Sequence, residues 1–331
     1  MAYLTVGEEG RDECCWDDDY RHQCHKSLLG ESFSVEGQPM YEFEHPKLMN
    51  FEKSIYRGST VALLTQHGKE KVIAPLLASA IDCQVVPVTG FDTDRLGTFT
   101  RDIPRSGTQI EAARQKARIG MELARLPLGL ASEGSFGPDP FTGMFSLNVE
   151  MIVWIDDTLD IEVVGVASGK SNFSHLLTAN WEEAETFARA TGFPEHGLVV
   201  RPRHEDDPRI RKGIADWETL RVAFRWACGE ADNGRAFLET DVRAHMNPMR
   251  MEIIAQATRD LARKLCTPCP ACNTPGFQIV ERVPGLPCAD CGAPTREARA
   301  DIHRCVRCGH EVTVERSDKA APAGRCDWCN P

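Results

Sequence analysis

The chain has 331 residues, a net charge of −11 and 42% apolar residues. This apolar fraction supports a folded core and excludes a wholly disordered chain. The acidic balance argues against a protein whose main task is to bind nucleic acid phosphates. Because no run of 18 apolar residues occurs and the N-terminus has no apolar leader, the sequence predicts a cytoplasmic protein without a membrane partner.

Charge divides the chain into three parts. Residues 1–55 carry a net charge of −7, residues 56–265 carry −4, and residues 266–331 are neutral. We interpret the first part as an acidic, loosely structured extension, the second as an α/β domain and the third as a Cys-rich zinc module. The extension also contains five metal-binding side chains whose spacing matches no zinc pattern, namely Cys14, Cys15, His22, Cys24 and His25.

Apolar, β-branched runs predict strands, and apolar residues at three- and four-residue steps predict helices. The predicted elements, in chain order, are a strand at 59–65, a helix at 69–80, a strand at 83–89, a helix at 108–125, a short strand at 128–132, strands at 147–155 and 159–166, a helix between 180 and 192, a strand at 198–201, and helices at 217–228 and 248–265. Strands that alternate with helices indicate an α/β fold. The hairpin at 147–166 favours a mixed sheet with flanking helices.

The helix after residue 180 carries an explicit start signal. Asn180 is followed three residues later by Glu183, which is the spacing of a capping box, and Gly192 would end the helix.

The tail contains the most specific pattern in the sequence. Four CxxC units close the chain, and each can present two thiolates to one tetrahedral Zn²⁺. Their members are Cys269, Cys272, Cys288, Cys291, Cys305, Cys308, Cys326 and Cys329. The tail has too little apolar surface for a core of its own, so two structural zinc ions would supply much of its folding free energy.

The pairing of the four units remains open at this point. Sequential pairing, first with second and third with fourth, would give two zinc ribbons, and we prefer it. Crossed pairing would give an interleaved, RING-like arrangement. Cys266, His303 and His310 are spare donors that we interpret as bystanders. Four protein ligands leave no open position, which indicates structural and not catalytic zinc.

Three patches in the middle part could carry chemistry. Thr65–Lys69 connects a strand to a helix and suits an anion, although a solvated Lys69 is the simpler alternative. Glu111 and Lys116 flank one helix face, where they could equally be solvent-facing charges. Glu133 ends an apolar strand before a Gly/Ser/Pro-rich loop, a place where α/β sheets put their sites, or else a plain turn.

The order of these patches, strand–TxxxK–helix, TxxExxxxKA on a helix, then strand–SEGSFG, resembles the non-canonical purine (inosine and xanthosine) nucleoside-triphosphate pyrophosphatase superfamily. The resemblance covers roughly residues 59–230 and implies a mixed sheet with a central cleft. It departs from the family at His67, where the family has Asn, and at Ala112.

Carried onto this sequence, the resemblance implies that Lys69 and Lys116 bind phosphates. It also implies that Glu111 and Glu133 are catalytic and hold Mg²⁺, which prefers carboxylate and phosphate oxygens. The further substrate-binding residues expected are His67, Ser135, Arg211 and Lys212.

The whole chain also resembles an uncharacterised bacterial family of unknown function. The shared features are the SEGSFGP loop, the RAHMNPMR segment at 243–250 and a Cys-rich tail ending in Cys-Asn-Pro. In that segment Asn247 and Pro248 form a sufficient helix start. Arg243, His245 and Arg250 could instead line a phosphate site.

These observations support a Mg²⁺-dependent hydrolase of a nucleotide or another phosphorylated small molecule. One alternative is a non-catalytic nucleotide sensor whose zinc module docks a protein partner. A third hypothesis, a nucleic-acid-associated zinc protein, is disfavoured by the charge.

Overall fold

The computed structural model describes residues 54–96, 107–140 and 142–330. The predicted extension at 1–55, with its Cys and His side chains, lies outside the described residues except for positions 54 and 55. The described residues form a mixed α/β fold with three sheets.

The predicted elements occur in the predicted order, and the structure adds six strands that the sequence analysis did not predict. The strands are β1 (Thr60–Leu64), β2 (Gln84–Val88), β3 (Leu128–Pro138), β4 (Ser146–Asp156), β5 (Ile161–Lys170), β6 (His175–Thr178), β7 (Leu198–Pro202), β8 (Arg211–Ile214), β9 (Ala236–Thr240), β10 (Gln278–Pro284), β11 (Ala298–Arg304) and β12 (Glu311–Glu315). The helices are α1 (Glu70–Ile81), α2 (Gln109–Ala124), α3 (Trp181–Ala190), α4 (Trp217–Glu230) and α5 (Pro248–Leu265). Of the described helices, none has the length and apolar character needed to span a bilayer.

The first sheet has the order β2-β1-β3-β4-β5. β1 pairs in parallel with β2 and β3, whereas β3, β4 and β5 are antiparallel neighbours, so the predicted mixed sheet is confirmed. Helices α1 and α5 pack on one face around Trp154, which is fully buried. Helix α2 packs on the other face through Ala113, Ala117 and Met121.

Helix α5 lies unusually close to β5. A Cβ atom added at Gly165 would lie 2.3 Å from the carbonyl oxygen of Ala257, which is backbone and cannot rotate away. Glycine is therefore required at this crossing, and the crossing fixes the position of α5 against the sheet.

The second sheet, of order β6-β9-β7-β8, is wholly antiparallel. Helices α3 and α4 bury their apolar sides on it. The capping box expected at the start of α3 is absent. Asn180 caps the backbone N–H of Glu182 at 2.8 Å, but the carboxylate of Glu183 accepts the hydroxyl of Thr178 at 2.5 Å.

Strand β3 is longer than predicted. The expected loop SEGSFG lies within the strand and pairs with β4 along its whole length. Gly134 stands opposite Glu150, and a Cβ at Gly134 would lie 2.2 Å from Glu150 Oε1. Gly134 therefore makes room for the buried side chain of Glu150. The sequence instead indicated that this glycine belongs to a turn.

The tail is a three-stranded antiparallel sheet with the order β10-β11-β12. One CxxC unit precedes β10, and one follows each of the three strands. Because successive antiparallel strands run in opposite directions, alternate CxxC units lie at the same end of this sheet.

Candidate metal sites and the cleft

The eight tail cysteines form two tetrads. The first contains Cys269, Cys272, Cys305 and Cys308, and the second contains Cys288, Cys291, Cys326 and Cys329. In each tetrad all four Sγ atoms lie within 4.8 Å of one another, and all eight are free thiols. Each tetrad could hold one zinc ion.

The distances between the cysteine sulfur atoms match those expected around a tetrahedral zinc ion. Two Sγ–Sγ distances are 3.6 and 3.8 Å in the first tetrad, and two are 3.6 and 3.9 Å in the second. A tetrahedral ion with Zn–S bonds of about 2.3 Å places its ligands about 3.8 Å apart. Backbone N–H groups also donate to the thiols, for example Ala271 N to Cys269 Sγ at 3.4 Å, as expected around a thiolate.

The preferred sequential pairing is wrong. The tetrads join the first CxxC unit with the third and the second with the fourth, which is the crossed alternative. The reason is the sheet, because every strand between two units carries the chain to the opposite end. Cys266, His303 and His310 lie outside both tetrads.

A polar cavity, here called the cleft, lies between the first and second sheets, beyond the carboxyl end of β1. Its volume is about 880 Å³ including the open mouth. Open α/β sheets commonly bind ligands in such a position. Five basic side chains line it, namely Lys69, Lys116, Lys212, Arg243 and Arg250. Three acidic side chains line it as well, namely Glu133, Glu239 and Asp241.

Lys69 occupies the N-cap position of α1, and it is 7% exposed. Its Nζ donates to Ser132 Oγ at 2.9 Å and to the Ser132 carbonyl at 3.3 Å. Burial, followed by the positive charge of Arg250, lowers the pKa of Lys69 to about 7. A cleft amine that is partly neutral near neutral pH is a candidate for chemistry.

Lys116 and Glu133 form a buried ion pair on the α2 side of the first sheet. The Nζ–Oε2 distance is 2.5 Å, and both side chains are nearly inaccessible to solvent. Gln109 also holds this strand, because its Nε2 donates to the Glu133 carbonyl at 2.8 Å. The structure therefore brings Lys116 and Glu133 together at one cavity.

Arg250 and Glu150 form a second buried pair at the floor of the cleft. Arg250 Nε lies 2.7 Å from Glu150 Oε1, and Arg250 Nη1 donates to the Val242 carbonyl at 2.7 Å. Asn148 Nδ2 also donates to Glu150 Oε1, at 3.1 Å. Both members of the pair are essentially inaccessible to solvent.

The second sheet supplies the facing wall of the cleft. Arg243 binds Asp241 through an Nη2–Oδ2 contact of 2.6 Å, and Arg201 lies 3.5 Å from Glu239. Asp241 also accepts the backbone N–H of Gly213, which links this wall to β8.

Five of the eight predicted cleft residues line the cleft, namely His67, Lys69, Lys116, Glu133 and Lys212. The other three do not. The Arg211 guanidinium stacks on Trp226 at 4.2 Å, and the Ser135 hydroxyl donates to Gln109 Oε1 at 3.0 Å.

The structure does not place Glu111 at the cleft, where the sequence predicts it. Its carboxylate caps α2, accepting from Thr108 N at 2.7 Å and from the Thr108 hydroxyl at 3.0 Å. These hydrogen bonds lower the pKa of the exposed Glu111. The expected metal pair of Glu111 and Glu133 is therefore not formed, because only Glu133 faces the cleft.

Sequence reasoning missed Glu150, Glu239 and Asp241. The available signal was an acidic residue within an otherwise apolar strand, as in LNVEMIVWID for Glu150. Such a residue is buried only with a partner, and Arg250 is that partner here.

The fold and these sites describe a class of protein that combines a mixed α/β fold and a polar cleft with a module of two interleaved Cys₄ tetrads. A family model described as "Domain of unknown function (DUF6671)" matches residues 116–331, so the chain belongs to this family. No curated protein and no solved structure gives a significant match. The expected membership of an uncharacterised family is thus confirmed, whereas the resemblance to the pyrophosphatase superfamily is not.

Proposed function

We propose that the cleft binds a small phosphate-bearing molecule, such as a nucleotide, in a protein whose tail is held by structural zinc. The supporting observation is the convergence of five basic side chains from five separate segments on one cavity. The cavity lining carries a formal net charge of +2 when all its lysines are protonated, in a chain whose net charge is −11. Cations from different elements that meet in a half-enclosed site favour a multiply charged anion.

The start of α1 adds to this preference. Lys69 occupies the N-cap position of α1 and lines the cleft, and its side chain makes no hydrogen bond to the helix N-terminus. The N-terminus of a helix of 12 residues carries partial positive charge, which favours a phosphate group nearby.

Two adjacent residues of β8 provide a matched test. Lys212 lines the cleft, whereas Arg211 stacks on Trp226 outside it. We expect Lys212→Gln to weaken binding of nucleoside triphosphate and pyrophosphate by about tenfold to 100-fold, since one charge-assisted contact contributes roughly 1.5–3 kcal/mol. Isothermal titration calorimetry at fixed salt measures this effect.

Arg211→Gln is the control and should keep the wild-type affinity within about twofold. Equal losses in the two variants would mean that only the overall charge matters, and no binding by the wild type would refute the proposal.

A second candidate is Mg²⁺-dependent hydrolysis of the bound molecule, for which the supporting observation is Glu133 at the wall beside Lys116. Of the described residues, no three carboxylates or imidazoles come close enough to form a metal site. Mg²⁺ would therefore take one carboxylate plus substrate phosphates, as it commonly does.

For this candidate, we expect the wild type to release phosphate or pyrophosphate from a nucleotide panel only when Mg²⁺ is present. Glu133→Gln, which keeps the shape of the side chain, should lower this rate about 100-fold. Binding without turnover would favour the sensor alternative, in which the zinc module docks a protein partner. Turnover that survives Glu133→Gln would exclude the role of Glu133.

A further inference from the structure

The two buried lysines of the cleft differ in their partners. Lys116 has the carboxylate of Glu133 at 2.5 Å as an oppositely charged partner. Lys69 is equally buried, but its hydrogen bonds go to the hydroxyl and carbonyl of Ser132, which are both uncharged. Among the described residues no carboxylate oxygen forms a salt bridge with Lys69.

Charged groups from four elements face Lys69. Arg250 on α5 and Lys116 on α2 disfavour its protonated form, whereas Glu150 on β4 and Glu133 on β3 favour it. The two carboxylates are already engaged by Arg250 and Lys116. Burial outweighs the attraction of these two carboxylates, so the pKa of Lys69 falls to about 7 and a large fraction of the amine is neutral at neutral pH.

A neutral amine that lines a cavity is a nucleophile. We propose that Lys69 forms an imine with a phosphorylated aldehyde or ketone bound in the cleft. The inference rests on the proposed binding of a phosphate-bearing molecule and adds the chemical class of that molecule.

The reaction balances without an additional reagent. The Lys69 nitrogen lone pair attacks the carbonyl carbon, which gives a carbinolamine. The carbonyl oxygen then leaves as water with the two amine hydrogens, and a C=N bond to Nζ remains. Ser132 Oγ, 2.9 Å from Nζ, orients the amine, and the basic side chains of the facing wall, Lys212 and Arg243, would hold the phosphate.

The test uses pyridoxal 5′-phosphate as a phosphorylated aldehyde and borohydride to reduce any imine to a stable secondary amine. We expect peptide mass spectrometry to find the adduct on Lys69 at least tenfold faster than on Lys71, an exposed lysine two residues away. Inorganic phosphate should protect Lys69 by competition. Pyridoxal, which lacks the phosphate, should react more slowly at Lys69.

Two variants complete the experiment. Lys69→Arg should abolish the adduct at this position, and Lys71→Arg, which changes a lysine outside the cleft, should retain it. Labelling of Lys69 should stop increasing above about pH 7, whereas labelling of ordinary solvent lysines continues to rise towards pH 10. Peptide mapping of the wild type decides the matter even if Lys69→Arg does not fold.

The outcomes separate the two proposals. Equal labelling of Lys69 and Lys71, or no Lys69 adduct, would overturn the imine proposal. If calorimetry still detected phosphate or nucleotide binding in that case, the anion-binding function would stand. If neither binding nor labelling occurred, both would fail.

Discussion

Replacement of Cys272 and Cys308 together should leave one zinc ion per chain, whereas replacement of Cys272 and Cys291 together should leave none. The first pair belongs to a single tetrad, and the second pair takes one ligand from each. All three cysteines are exposed, so Cys→Ser changes remove ligands without filling or emptying a core. Metal analysis by atomic emission should find about two zinc ions in the wild type.

The effect should be large, because structural zinc contributes roughly 10–16 kcal/mol to the folding of small metal-dependent modules. The variant without zinc should therefore lose the tail fold, which limited proteolysis would detect. Cys266→Ser is the control, since Cys266 lies outside both tetrads and its thiol donates to the Ala80 carbonyl at 3.4 Å. Reversed zinc counts in the two double variants would restore sequential pairing.

Arg250→Met should destabilise the protein by about 3–5 kcal/mol, because it leaves the Glu150 carboxylate buried without its counter-ion. Loss of the hydrogen bond to the Val242 carbonyl adds to the cost. Urea unfolding monitored by circular dichroism gives the change in the free energy of unfolding.

A matched control lies on the same helix. Arg259 pairs with Glu252 at 3.1 Å, but both side chains are more than half exposed, so Arg259→Met should change stability by about 0.5 kcal/mol or less. Adding Glu150→Gln to Arg250→Met should recover part of the loss, because it removes the buried charge. Equal effects of Arg250→Met and Arg259→Met would contradict a buried ion pair.

The five helices and the longer strands of the first sheet could be predicted from apolar periodicity and from helix-start signals. Helix α5 has the bounds that Asn247 and Pro248 indicate, since a side-chain cap and a proline at the first position define a helix start locally. The short strands β6, β8 and β9 were missed. Four or five residues give too little periodicity, and β8 (RKGI) carries two charges, so only pairing within the sheet makes them strands.

The eight candidate zinc ligands could be predicted from the sequence, whereas their pairing could not. A CxxC unit carries its own local geometry, whereas pairing depends on the direction of the chain between units. Strands β10 and β11, which help to set that direction, have no clear apolar alternation, and the alternation in β12 (EVTVE) covers only five residues.

Only part of the cleft could be predicted, because some of its residues are positioned by the sheet and others by local hydrogen bonds. Lys69 follows β1, and Glu133 lies in the neighbouring parallel strand β3, beyond the residues that pair with β1, so both reach the same edge of the sheet. Glu111 was misplaced because the TxxE spacing equally describes a capping box, and the local hydrogen bonds with Thr108 determine where the carboxylate lies.

Helix α5 connects the cleft to the cysteine-rich tail. It carries Arg250 in its first turn and ends at Leu265, four residues before Cys269. An unbroken helix of 18 residues is about 27 Å long and turns by about 100° per residue. One inserted residue would therefore rotate the end of the helix that leads to Cys269 by more than a quarter turn relative to Arg250, so the length of α5 sets how the cleft and the cysteine tail are oriented to each other.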